Sequence, residues 1–201
     1  KVGKPTENVV IRYCLAKQGH GGITCGSETA AGVKNVYLHH CVFDGTRTGF
    51  RFKTRRNRGG GIWDITYDNV RLINMKEAFT WDLLGTKTYM GELAQRNPPL
   101  AVTPLTPTVK DIRISNFVIE SADRMMSMTT IPEIPTTGVV VENGVVRTNR
   151  IFKTLNDVGG LTLRNMTIQA TDNNINMDNS RNVVFDNVDF YVPGDSLVYN
   201  I

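Results

Sequence analysis

Apolar and polar residues alternate in short bursts along this chain, and the bursts recur. Two alternating apolar positions lead to a polar corner, and a second apolar alternation follows. The first apolar position falls at Val9, Val36, Ile65, Ile112, Val139, Leu161 and Val183. Two residues on stand Ile11, Leu38, Tyr67, Ile114, Val141, Leu163 and Phe185, and seven on stand Ala16, Phe43, Leu72, Ile119, Val146, Ile168 and Phe190. A further marker lies fourteen on, at Ile23, Phe50, Phe79, Met126, Ile175 and Leu197. Only the Val139 unit breaks that offset, placing Lys153 there with Ile151 and Phe152 just before it. Period-two alternation predicts strands, and no segment sustains a helical period. A repeat of this length built from short strands predicts a β-solenoid. The expected fold is all-β: a right-handed parallel β-helix, a single-stranded solenoid of about seven coils forming one domain over residues 1–201.

The step from Ile65 to Ile112 is too long for one coil. It predicts an insertion at about 85–109, where Pro98, Pro99, Pro104 and Pro107 exclude a ladder strand, so the chain is expected to leave the coil as a loop. Four residues after each start stand Tyr13, His40, Asn69, Asn116, Asn143, Asn165 and Asn187. Asn tolerates a left-handed corner, and stacked Asn amides can bond from coil to coil, so this column reads as architecture. Asn165-Met166-Thr167 matches a glycosylation sequon, but its place in the column predicts an inward, unmodified side chain. Cys14, Cys25 and Cys41 cannot all pair within one chain and have no metal-ligand spacing, so buried free thiols are expected, with no metal and no cofactor.

The chain carries 23 Lys and Arg against 19 Asp and Glu, a mild positive excess. That excess fits an anionic partner without requiring one. No apolar run approaches the ~18 residues of a membrane span, and neither a membrane nor a nucleic acid is expected as partner. The run Arg51, Lys53, Arg55, Arg56 and Arg58, taken alone, reads as a solvated basic loop. Register sharpens the picture. If Ile23, Cys25, Phe50 and Phe52 point inward, then Thr24, Arg51 and Lys53 point outward. Stacking then gives an outward column of Thr24, Arg51, Thr80 and Ser127, and beside it Gly26, Lys53, Asp82 and Thr129. Gly26 is expected to leave open space beside Lys53, with Asp82 on the next rung, and the bland alternative for Lys53 and Asp82 is a surface ion pair. His20 is expected where its strand enters the same face. An Arg fork beside a Lys point charge suits a carboxylate.

Gly19-His20-Gly21 and Arg51-Phe52-Lys53 resemble the Gly-His-Gly and Arg-Ile-Lys motifs of the polygalacturonase family of glycoside hydrolases. Phe52 replaces the usual Ile at a core-facing position. The stretch from Lys1 to Ile11 resembles the segment after that family's Asp-Asp pair, and the likeness is closest to bacterial members. The resemblance implies a secreted or periplasmic enzyme that hydrolyses α-1,4-galacturonan in pectin by inversion, with an acidic polysaccharide or oligogalacturonide as partner. It implies that His20 works with the catalytic aspartates, that Arg51 and Lys53 bind a galacturonate carboxylate, and that Tyr89 is the family's downstream tyrosine. One departure is large: before His20 the chain has a single carboxylate, Glu7, and no aspartate. The chain therefore reads as the C-terminal part of such an enzyme, inactive alone, with a missing N-terminal half or a second copy as partner at an open coil edge. A non-catalytic β-helix that binds acidic polysaccharide, a pectin-active lyase and a rhamnogalacturonan hydrolase are the alternatives. A lyase would want a calcium cluster of acids, and none is apparent on the face of Arg51.

Overall fold

A computed structural model describes residues 3–201, so Lys1 and Val2 of the motif-like opening stretch lie outside the described residues. The alternating segments form strands that wind through seven coils. β1 (Thr6–Arg12), β2 (Leu15–Lys17) and β3 (Gly21–Cys25) make the first coil, β4 (Val33–Asp44) and β5 (Thr48–Lys53) the second, and β6 (Gly61–Ile73) and β7 (Met75–Asp82) the third. After a short helix α1 (Lys87–Met90), β8 (Thr108–Thr129) and β9 (Thr137–Asn156) each run through a whole coil side and corner. β10 (Leu161–Asp172) and β11 (Asn174–Asp178), then β12 (Val183–Tyr191) and β13 (Val198–Asn200), complete the stack.

Every strand pairs in parallel with its equivalent in the next coil, which makes the architecture a parallel β-helix. Val9, Val36, Ile65, Ile112, Val139, Leu161 and Val183 face one another in one unbroken column, as the repeat requires. These inward positions feed a core that runs the length of the described stack. Its densest part is aromatic. Phe50 and Phe79 stack at 5.4 Å, Phe52 lies 4.7 Å from Trp81, and Tyr67 packs on Phe50 at 4.3 Å. Phe50 and Phe52, which flank Arg51 in sequence, are fully buried. The outward residue between them therefore stands on a rigid floor.

The corner column takes up a left-handed backbone in all seven coils, with φ between 50° at Asn165 and 55° at Asn143. The amides of Asn187, Asn165 and Asn143 each donate to the Oδ1 of the preceding Asn, at 2.9, 3.4 and 3.2 Å. The ladder stops at Asn116, which turns to Asp68. Contrary to expectation the Asn side chains face outward and are exposed. A single left-handed residue at a corner swings its side chain off the core face, so the ladder seals the outside of the bend.

Other expectations need correction. Cys25 and Cys41 are buried, but Cys14 is exposed, because its coil has a neighbour on one side only among the described residues. Ile175 faces Tyr199 and not Leu197. Phe152 fills the core place expected one residue later. Gly26 leaves no open space: at φ 107°, a Cβ there would stand 1.6 Å from the Lys53 carbonyl oxygen, so glycine is required. The basic run is not a solvated loop either. Arg55 and Arg56 are buried, and Arg56 forks onto Glu133 through Nε and Nη2 at 2.6 and 2.8 Å.

The insertion leaves the coil as expected, but it is a strap with its own local order and not a free loop. It opens with α1 and a 3-10 turn over Gly91–Ala94, then crosses back over the coils. Arg56 holds it from below by donating to the Leu93, Gln95 and Arg96 carbonyls. Arg96, on the strap, donates in turn to both oxygens of buried Asp157 and to Asp178.

Candidate functional site

The site is built on β5 and β7 and roofed by the start of the strap. Arg51 and Lys53 are alternate residues of β5, roughly 6.6 Å apart at ~3.3 Å per residue. Both point outward because Phe50 and Phe52 occupy the core. The stacked columns match the expected register: Thr24 faces Arg51, Arg51 faces Thr80, and Thr80 faces Ser127. Lys53 faces Asp82 across the ladder.

The ion pairing differs from the register. Asp82 Oδ2 accepts from Arg51 Nη2 at 2.9 Å and from Arg55 Nη2 at 3.0 Å, and Lys53 forms no salt bridge among the described residues. Arg55 curls back after the strand ends, donating also to the Thr54 and Asp82 carbonyls. That path cannot be read from strand register, which sets Asp82 beside Lys53. Gly85 N–H donates to the other Asp82 oxygen and ties the strap's first residue to the same carboxylate. Burial pushes the Asp82 carboxyl up, but Arg55 and then Arg51 outweigh it and hold the group below the ordinary carboxylate range. Lys53 is held below the ordinary lysine value, first by burial and then by repulsion from Arg51 and Arg55. One anion is thus clasped by two guanidinium groups, while the Lys53 ammonium stands beside them with no salt bridge among the described residues.

A cleft of about 500 Å³ opens over this group, lined by Arg51, Lys53, Arg55, Arg58, Asp82 and Tyr89 among others. Tyr89 belongs to α1 and is 87% exposed, so its ring overhangs the cleft and is not packed into it. A second cavity of about 430 Å³ shares Arg51, Asp82 and Thr86 with the first and continues across the next rungs to Ser127 and Lys153. Together they form a groove that runs along the stack. Arg51, Lys53 and Tyr89 meet in it. His20 does not line either cavity: it precedes β3, is exposed, and gives its carbonyl to Thr48 N–H and Oγ1. It stands four residues before Thr24, roughly 13 Å along the strand. Its nearest register neighbour is Arg47, which lines the second cavity.

The groove's own carboxylates are both engaged. Asp82 is clasped as described, and Glu77 accepts from Arg124 Nη1 at 2.9 Å and from Thr80 Oγ1 at 3.1 Å. Chemically the groove offers cations and hydroxyls to an anionic ligand. No group of three or more metal-ligating side chains is placed to hold an ion among the described residues.

The family model for glycosyl hydrolases family 28 matches residues 1–113. A probable polygalacturonase of Vitis vinifera is 27% identical over 165 residues, covering 80% of this chain and 32% of that protein. A polygalacturonase of Ralstonia solanacearum is 34% identical over 82 residues, covering 39% of this chain and 15% of its own. A solved Yersinia enterocolitica family 28 exopolygalacturonase aligns over 90% of this chain and 30% of that one, at 15% identity and a TM-score of 0.39. The chain spans about a third or less of the length of these relatives.

Proposed function

The chain belongs to glycosyl hydrolase family 28, and from that premise we propose that it is the substrate-binding C-terminal part of an enzyme that cleaves α-1,4-galacturonan in pectin with inversion. The observation that carries this reading is the pair Arg51 and Lys53, side by side over a cleft, with Lys53 in no salt bridge among the described residues and Asp82 already matched by Arg55. A galacturonate carboxylate supplies the missing negative charge. Arg51 offers it directed N–H donors and Lys53 a point charge. Tyr89, overhanging the cleft from the strap, contributes a ring face or a hydroxyl to the bound sugar.

Hydrolysis with inversion needs two carboxyl groups about 6.5–9.5 Å apart, one to protonate the leaving oxygen and one to activate water. Glu77 and Asp82 do not fill those roles, because each is already paired with a cation and they lie five residues apart on one strand. The acid and base are assigned to upstream coils that stack on the edge formed by β1 to β3. That edge carries exposed Val10, Tyr13 and Leu15. His20, at the same margin, then exchanges protons with those carboxylates. The setting proposed is outside the cytoplasm, where pectin is found.

One experiment tests both halves of the proposal: titration of this chain with hexagalacturonate, followed by a reducing-sugar assay on the mixture. Binding without sugar release is the expected result. Absence of binding contradicts the ligand assignment, and release that His20→Ala abolishes shows that the acids reside in this chain.

A further inference from the structure

Strand β9 departs from the register of β8 at two places: it is one residue short between Val146 and Thr148, and it regains that residue at Lys153. Met126 faces Phe152 and Ser127 faces Thr154, which leaves Lys153 with no partner in β8. Such a bulge adds one residue to one strand and re-aims a side chain, and bulges gather beside functional sites. Here the added residue is a cation, and it restores the register that the shorter corner before it had shifted by one. Lys153 lines the cavity that continues the groove beyond Arg51.

Its charge is only loosely answered. Glu77 lies 3.6 Å from Lys153 Nζ, but Arg124 already holds that carboxylate at 2.9 Å. The other carboxylate in the cavity, Asp82, is clasped by Arg51 and Arg55. The Lys153 backbone stands three rungs from that of Arg51, and its ammonium reaches back toward Glu77 of β7. From Arg51 the rungs pass through Thr80 and Ser127 to Thr154, its chain neighbour. Three steps of ~4.8 Å put roughly 14 Å between the two backbone positions.

We propose that Lys153 is a second carboxylate-binding point, so that the groove recognises a polyanion carrying free carboxylates on sugars several residues apart. This rests on the reading of Arg51 given above and adds a length and charge-pattern requirement to it. A disaccharide held at Arg51 covers the first cavity, whereas a hexasaccharide runs on along the groove past Lys153.

The test is isothermal titration of the chain with digalacturonate and with hexagalacturonate, for the unaltered protein, Lys153→Met, Lys153→Arg and Arg51→Ala. Lys153→Met should weaken hexagalacturonate about three- to fivefold, as befits a half-exposed charge pair, and leave digalacturonate unchanged. Lys153→Arg should restore the hexasaccharide affinity. Arg51→Ala should weaken both ligands. If Arg51→Ala acts but Lys153→Met leaves hexagalacturonate unchanged, or weakens both ligands equally, the second binding point is overturned and the first stands. If Arg51→Ala affects neither ligand, the reading beneath it falls, and this inference with it. Lys153 is half exposed, so both Lys153 variants should fold, which unchanged thermal melts would show.

Discussion

The stacked coils and the strap from Gly85 to Pro107 reach order by different means. In the stack each coil repeats the same inward positions, so its residues are ordered by burial against copies of themselves above and below. In the strap no residue from 85 to 106 is buried, and its path depends on a few charged anchors reaching it from the coils or from itself. Apolar burial is non-directional and spread over many contacts, whereas an ion pair is a point. The stack therefore tolerates the loss of a surface charge, and the strap does not tolerate the loss of Arg56 or Arg96. The site lies where the two meet, with its cations on the rigid stack and Tyr89 on the strap.

The comparison breaks most severely at the aromatic floor. Phe79 is fully buried between Phe50 and Phe117, and Phe79→Ala should cost about 3–5 kcal/mol, read as a lower urea midpoint for the whole stack. A smaller shift would show that the coils melt independently.

Arg56→Ala comes next. It strands Glu133 in a buried place and releases the carbonyls of Leu93, Gln95 and Arg96, at a cost of roughly 3 kcal/mol. Protease cleavage should concentrate in the strap while the far-ultraviolet signal of the strands persists. The same contact sets an acid limit. Burial raises the Glu133 carboxyl, but the Arg56 hydrogen bonds more than offset this and hold it below its ordinary value. A depressed folded pKa gives stability that is complete above the unfolded value of ~4.3 and is lost as pH falls through the folded one. Strap cleavage should therefore rise at acid pH, below the ordinary glutamate range, before the stack unfolds. Simultaneous loss of both would contradict the division between them.

How far the sequence could be read follows the same division. The first inward columns were legible, because a period of two admits only one register once a corner is marked, but the fourteen-residue marker slipped at Phe152 and at Leu197. The adjacency of Arg51 and Lys53 followed directly from that register. The Asn column was legible as a ladder, but its outward facing was not, since alternation says nothing of which way a left-handed corner swings. The partner of Asp82 escaped because Arg55 lies beyond its strand and folds back. The strap's path escaped altogether, for its prolines exclude strands without choosing a route. The broken offset before Lys153 is the trace of a corner one residue short, and the bulge that restores the register at Lys153 had no signal of its own.

The central claim is that Arg51 and Lys53 recognise a carboxylate, and the most direct measurement compares hexagalacturonate with its methyl ester on the unaltered chain and on Arg51→Ala. The ester keeps every hydroxyl and removes the charge. The acid should bind about ten- to a hundredfold more tightly than the ester, and Arg51→Ala should erase most of that gap. Equal affinity for acid and ester, with Arg51→Ala without effect on either, would contradict the account.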